Sequence, residues 1–429
     1  MTTPWLERDR LARLADGLAV AVVVSLPWST SATSILTGLW LLALLPTLDL
    51  ASLRRTLAHP AAGLPVALAL LMVIGMLWAD VPFGERFGAL RGPHKLLVIP
   101  LLLVHFRRSE QGPRVLGGFL VSCTALMALS WVIAIWPSLT FWQSRWSGYT
   151  WTGVPVKDYL VQSGEFAICA YALTLLTFDA WRDGRRARAV VAAGLALVFL
   201  GNIVFVAAGR SSLLVLAALA LIIGVRRLNW KGRLGLVVGI AVLAAAAWAA
   251  SPYLRARVAG VAQEIATYRA GGDDTSTGYR LEFWKKSVEF IAEAPVVGHG
   301  TGSILELFRS VAVGDHGPGS AITGNPHNLT FEIGIQLGLL GVVVLYAMWI
   351  AQLMLFRGSG LAAWLGLGLV VQDLVSSVFL SHMFDFTTGW MYAFGVGVLG
   401  GMVLRGECSA QQSGCPNSEW RGAANAGNE

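Results

Sequence analysis

Apolar runs recur along almost the whole 429-residue chain, and no other feature constrains its fold as strongly. About twelve runs have a length near the roughly 17–25 residues that a helix needs to cross a hydrocarbon core of about 30 Å. They lie near 12–28, 32–48, 62–79, 93–106, 115–136, 161–178, 188–207, 211–225, 234–250, 328–355, 361–380 and 385–404. The expected fold is an all-α polytopic membrane protein, with a bundle of about nine spans over 1–250 and three more over 328–404. Two boundaries are least defined: the tight hairpin at Pro27-Trp28-Ser29, and the run from Val190 to Val225, which exceeds one helix and divides at Gly209-Arg210.

Composition agrees with this reading. The chain is 55% hydrophobic and 13% charged, with a mean hydropathy of +0.63, which excludes an ordinary soluble domain. A net charge of +7 would suit a nucleic-acid binder, but the Lys and Arg are scattered through the loops between spans, where a membrane accounts for them. No nucleic-acid partner is expected. Cys123 and Cys169 fall in apolar runs, and Cys408 and Cys415 fall in a polar tail without histidine neighbours, so neither a disulfide framework nor a structural zinc site is expected. The first run follows Arg8, Arg10 and Arg13 and has no convincing cleavage site, so it reads as a retained span.

With the N-terminus inside, Arg54-Arg55, Arg107-Arg108, Arg114, the arginines from Arg182 to Arg188, Arg226-Arg227, Lys231, Arg233, Arg357 and Arg405 all fall on the cytoplasmic side. Residues 405–429 would then be a disordered cytoplasmic tail. Cations on the opposite side run against this bias and are more informative. They are Arg86, Arg91 and Lys95, then Arg145 and Lys157, then Arg210 in Ala208-Gly209-Arg210-Ser211-Ser212, where an apolar hairpin turns close to the bilayer surface. An arginine there either has a functional partner or snorkels to lipid headgroups.

Residues 251–327 form the one large extramembrane segment. Leu254, Val258, Val261 and Ile265 recur at helical spacing, as do Leu281, Trp284, Val288 and Ile291, which predicts two amphipathic helices with Arg280 at the start of the second. Gly298-His299-Gly300-Thr301-Gly302 makes a glycine-rich loop, and Ser303 with Glu306 has capping-box spacing for a short third helix. The segment ends in Asn325-Pro326-His327-Asn328, where Asn325 fits an N-cap and Pro326 the first helical position. His327 would then lie in the first turn, where the helix dipole disfavours imidazolium and favours an anion. The competing reading is a histidine that only caps a helix at the membrane surface.

Arginines, donor-rich glycine backbone and a neutral imidazole together suit a pyrophosphate. Arginine grips phosphate bidentately and stays charged when partly desolvated. The imidazole could remove a proton from an attacking hydroxyl, or donate a hydrogen bond to phosphate. Asp273-Asp274 is the only adjacent carboxylate pair outside the spans, and its context reads as a solvated turn, so no metal site is assigned. His94, His299 and His316 compete with His327 as base, and His299 reads as a loop or ligand contact. Transport is the reading from another class, but apart from Glu165 and Asp373 the spans hold few of the charged groups it would use.

The order Gly209-Arg210-Ser211, Arg280 with Trp284, Val297-Gly298-His299-Gly300, then Pro326-His327-Asn328 followed by Glu332, Gly334 and Gly338 resembles the O-antigen ligase and polymerase superfamily over about 189–345. The resemblance implies an integral-membrane, GT-C-like glycosyltransferase of the bacterial inner membrane, with 251–327 as its periplasmic loop. It would act without metal or cofactor, moving O-antigen polysaccharide from undecaprenyl pyrophosphate onto lipid A-core with inversion. It implies that Arg210 and Arg280 hold the pyrophosphate and that His327 activates the acceptor hydroxyl. Arg86, Arg91, His94, Lys95, His299 and Asn328 would contact the diphosphate or the anionic acceptor. An O-antigen polymerase or a pilin oligosaccharyltransferase would share this donor and differ in acceptor.

Overall fold

The computed structural model describes residues 4–139, 152–207, 209–250, 255, 260, 263–267, 275–312, 314 and 318–412. Described residues are helical or loop, with no strand among them. In chain order the helices are α1 (Pro4–Ser25), α2 (Thr30–Leu44), α3 (Leu50–Leu57), α4 (Pro60–Gly75), α5 (Phe83–Ala89), α6 (Val98–Arg108), α7 (Gly112–Ile135) and α8 (Tyr159–Arg182). They continue with α9 (Arg186–Phe205), α10 (Arg210–Arg227), α11 (Trp230–Ala250), α12 (Ser276–Glu293), α13 (Ile304–Ser310), α14 (Leu329–Leu355), α15 (Leu361–Ser376) and α16 (Phe386–Gln412).

Each of the twelve expected runs coincides with a helix, whereas α3, α5, α12 and α13 lie between runs. Among the described residues six helices are long and apolar enough to cross a membrane alone: α2, α7, α8, α9, α14 and α16. Two bent pairs, α3 with α4 at 87° and α5 with the segment Pro93–Arg108 at 47°, bring the number to eight if each pair is one span. The other four coincide with expected runs but are less clear-cut. The first turns of α1 are charged, α10 has arginines at both ends, and α15 is 16 residues long. Some side chains of α11 are not among those described. The last helix runs on to Gln412, past the expected end at 404, and 413–429 of the expected tail lie outside the described residues.

Lipid is as apolar as a leucine side chain, so close packing, rather than burial from water, holds such helices together. α6 and α16 illustrate this: a Cβ on Gly397 would sit 2.4 Å from Leu102, and one on Gly401 2.7 Å from Phe106. The main apolar core gathers Trp40, Phe106, Ile333, Trp349 and Phe394, and a second core gathers Phe166, Phe199 and Trp364. A third, smaller core of Phe283, Phe290, Ile304, Phe308 and Ile335 fastens α12 and α13 to the N-terminal half of α14.

Basic residues meet at one end of the bundle. Arg226 donates to the Arg357 carbonyl at 2.6 Å, Arg227 pairs with Asp179 at 3.0 Å, and Arg405 donates to the Ser109 carbonyl at 2.7 Å. At the other ends of these helices lie α12, α13 and the segment that leads into α14.

Helix α14 is broken at Gly338, where φ is 60° and ψ is −157°. The loop 295–302 is spliced into this break. Leu339 N–H donates to the Pro295 carbonyl at 2.8 Å and Leu340 N–H to that of Val296 at 3.2 Å, while His299 and Gly300 N–H donate to the Ile335 and Gln336 carbonyls at 2.8 and 2.9 Å. Gly302 N–H donates to the Gln336 side chain at 2.8 Å. The splice joins the segment that carries α12 and α13 to the helix that starts beside His327.

Candidate functional site

His327 stands just outside α14, and the cap of that helix is not the one its local sequence predicts. The N-cap is Asn328, whose side chain accepts from Phe331 N–H at 3.1 Å and whose amide donates to the Val378 carbonyl at 3.0 Å. Asn325 is engaged elsewhere, since its Oδ1 accepts the backbone N–H of His327 at 2.7 Å and the hydroxyl of Ser381 at 2.9 Å. His327 itself adopts φ 54°, the only positive φ at a non-glycine residue among those described. Such a backbone costs about 1–3 kcal/mol and persists where surrounding contacts dictate it, often at functional sites.

The imidazole lies beside Phe283 of α12, with ring centroids 6.2 Å apart and planes 25° from parallel. Burial and the neighbouring Arg280 guanidinium push its pKa down to about 4, so the ring is neutral at physiological pH. The expected neutral imidazole is present, with Arg280 and burial as causes in place of a first-turn position.

Arg280 lies in the second turn of α12 and lines a cavity of about 340 Å³ between the starts of α8, α10 and α12 and the segment after α15. Tyr159, Ser211, Thr277, Trp284 and Phe379 share its wall. The indole nitrogen of Trp284 is buried with no hydrogen-bond partner among the described residues, which leaves a donor available there. Arg210 is the first residue of α10, adjacent in the chain to the wall residue Ser211. The structure therefore brings Arg280 and His327 together, with the start of α10 on the same cavity.

The remaining candidates are placed differently. Arg86 spends its guanidinium on the Val81 and Met76 carbonyls, at 2.7 and 3.0 Å, and so stabilises the turn after α4. Lys95 is buried, and its ammonium donates to the Phe384 and Asp385 carbonyls at 2.9 and 2.7 Å. Arg91 is exposed, and the His94 ring meets Trp390 edge-on at 5.7 Å. His299 contacts the Phe290 carbonyl through Nε2 at 2.8 Å and also meets that residue's ring edge-on. Because the N–H groups of His299, Gly300 and Gly302 belong to the splice in α14 and that of Thr301 donates to Gly75, the glycine-rich loop is structural and offers no phosphate cradle. Arg145, Asp273, Asp274 and His316 lie outside the described residues, as do Leu254, Val258 and Val261 of the first amphipathic stretch. Among the described residues no group of three or more His, Cys, Asp or Glu is placed to hold a metal.

Several buried polar groups lie behind the site, and of these Asp385 has no local sequence signal. Lys157 reaches the Leu26 carbonyl and the Thr387 hydroxyl, the latter at 2.7 Å, and burial lowers its pKa. Burial raises Asp385 to about 6, against the pull of Lys95. Glu332, in the first turn of α14, has one carboxylate oxygen buried without a partner. Its sequence signals are its charge inside an apolar run and its place after Pro326-His327-Asn328.

Residues 195–346 match the family model described as O-antigen ligase. Through this stretch the chain is similar to the O-antigen ligase superfamily. The O-antigen ligase match begins within α9 and ends within α14, so it takes in Arg210, Arg280, His327, Glu332 and both sides of the splice. Lys95, Lys157, Ser381 and Asp385 lie beyond it. No curated protein gives a significant match to the chain. The match and the apolar helices together indicate a membrane protein and support a ligase- or polymerase-type role in O-antigen and lipopolysaccharide synthesis.

Proposed function

We propose that this protein is an O-antigen ligase that transfers O-antigen polysaccharide from undecaprenyl pyrophosphate to a sugar hydroxyl of lipid A-core. It does so at the periplasmic face of the bacterial inner membrane, without metal. The observation that carries this reading is the meeting of Arg280 and a neutral His327 beside the cavity at the start of α10. The separation of that cavity from the basic end of the bundle supports a periplasmic site.

Arg210 and Arg280 hold the diphosphate, each by a planar fork that suits two phosphate oxygens. The acceptor oxygen attacks the anomeric carbon as the bond to the diphosphate oxygen breaks on the opposite side, which inverts the configuration. The hydroxyl proton passes to His327, and the electron pair leaves on undecaprenyl pyrophosphate. The leaving group is already a good one. Positioning and proton removal are therefore what the protein supplies, the latter typically worth about 10²–10⁴-fold.

The deciding experiment reconstitutes the protein with a lipid-pyrophosphate glycan and offers lipid A-core, free repeat units or a pilin as acceptor. Modified lipid A-core is the expected product. Extension of the glycan alone, or modification of the pilin alone, would replace the ligase reading by a polymerase or an oligosaccharyltransferase.

A further inference from the structure

A second cavity of about 340 Å³, apart from the one that Arg280 lines, lies between α1, α7, α8, α15 and α16. Cys169 is the most polar side chain on its wall. Water therefore finds no good side-chain partner there, whereas a hydrocarbon chain gives the wall the dispersion contacts of a packed interior. Along α16 the wall runs from Met391 to Met402, about 16 Å of helix and so roughly half of a 30 Å hydrocarbon core. The end towards the start of α16 is closed, since Leu26, Met391 and Phe394 are buried and the Leu26 carbonyl accepts from Lys157. The rim at the other end is open. Pro113, Gly117 and Leu176 are exposed there, and a Cβ on Gly117 would meet nothing within 4 Å.

This open rim lies at the basic end of the bundle. Arg114 follows Pro113 and is exposed, and Arg182, also exposed, ends α8 six residues past Leu176. Arg405, three residues past Met402 of the wall, donates to the Ser109 carbonyl just before α7. Arg226 and Arg227 stack on Trp364, 5.1 and 4.7 Å from its ring centroid, next to Leu365 of the wall. Asp179, three residues past Leu176, is paired with Arg227.

We propose that this cavity takes an acyl chain of a glycerophospholipid from the leaflet at the basic end, with the lipid's anionic headgroup resting on Arg114 and Arg182. The chain enters through the rim because the opposite end is closed. The headgroup is anionic because clustered arginines at a membrane surface attract negatively charged lipid. A lipid held in this way packs α7, α8, α15 and α16 against one another where side chains alone leave a gap. Occupancy of this cavity does not depend on the activity proposed for the other.

Native mass spectrometry of the full-length protein in mild detergent, supplied with equal amounts of phosphatidylglycerol and phosphatidylcholine, counts and weighs the lipids retained. The expected result is one tightly held phosphatidylglycerol, in preference to phosphatidylcholine. Gly117→Phe puts a ring into the open space at the rim and should abolish retention of that lipid. Arg114→Gln and Arg182→Gln, both at exposed positions, should still hold a lipid but lower the preference for phosphatidylglycerol, each by roughly fivefold. Retention by Gly117→Phe equal to that of the unmodified protein overturns the proposal, as does retention of neither lipid by the unmodified protein. Equal retention of the two lipids, or a preference unchanged in both arginine variants, overturns it as well. So does displacement of the phosphatidylglycerol by an added polyprenyl pyrophosphate, which would assign the cavity to the tail of the donor. Should Gly117→Phe fail to fold, the arginine variants, which alter only the rim, still decide.

Discussion

Replacing Gly338 by alanine tests the joint on which the extramembrane segment depends. At φ 60° and ψ −157° this residue occupies a region essentially reserved for glycine, and a side chain there costs about 1–3 kcal/mol in backbone strain. There is also no room: the new Cβ would lie 2.5 Å from the Val296 carbonyl carbon and oxygen and 2.7 Å from Gly298 N. Relief requires the loop to withdraw, which breaks the bonds from Leu339 and Leu340 N–H to Pro295 and Val296, each worth about 0.5–1.5 kcal/mol. Together these effects come to about 2–6 kcal/mol. The assay is the thermal unfolding midpoint of detergent-solubilised protein, with Gly17→Ala as control. Gly17 lies in α1 with nothing within 4 Å of a new Cβ, so its replacement should leave the midpoint unchanged or slightly raised. Gly338→Ala should unfold several degrees lower. Coincident midpoints for the two variants would show that the break in α14 carries no strain and that the splice does not hold the loop.

His327→Ala should remain folded and bind donor while transferring no glycan, checked by donor binding alongside product formation; near-normal transfer would refute its role as base. Arg210→Lys and Arg280→Lys should each weaken transfer although charge is retained, because the planar fork is lost; full activity in both would exclude bidentate binding. The folded pKa of His327, about 4, lies below the ordinary value of 6.5, so its contribution to stability is complete above about pH 6.5 and is lost as pH falls towards 4. Arg280→Gln should move that window upward, as read by histidine NMR titration. Chelator treatment of the purified protein should leave transfer intact; a loss reversed by Mg²⁺ or Mn²⁺ would refute the metal-free mechanism.

Hydropathy was enough to place a helix at each of the twelve apolar runs, because a span of lipid imposes its length locally. What it could not convey is how two distant segments complete each other. Glycines at 298, 300 and 302 have the spacing of an anion cradle, yet their backbone closes a broken helix some 35 residues on, and the partner glycine at 338 looks like any small residue in an apolar run. The start of α14 misleads for a similar reason. Asn325-Pro326 satisfies every local rule for a helix start, but Ser381, 56 residues away, recruits the Asn325 side chain and the cap passes to Asn328. Arg280 and His327 could be singled out in the sequence as a cation and an imidazole near expected helix starts, but their closeness could not. Lys95 was also conspicuous as a cation on the outward side, and only its two carbonyl partners reveal that it anchors a loop.

A weakly basic imidazole is at first sight a poor choice for taking a proton from a sugar hydroxyl, since general bases work best with a pKa near the operating pH. The position of Arg280 resolves this. Burial and the Arg280 guanidinium together hold His327 near 4. A diphosphate on Arg280 brings more negative charge than the arginine brings positive, so the local field changes sign and the imidazole becomes more basic once donor is bound. The two pH profiles then separate. With His327 as base, the acid limb of kcat/KM, which reports the free protein, should lie near 4, and the acid limb of kcat, which reports the donor complex, should lie higher. On the proposed reading, the group that grips the leaving diphosphate would also restrain the base until the donor arrives, which would make the closeness of Arg280 and His327 part of the chemistry and not only of the binding.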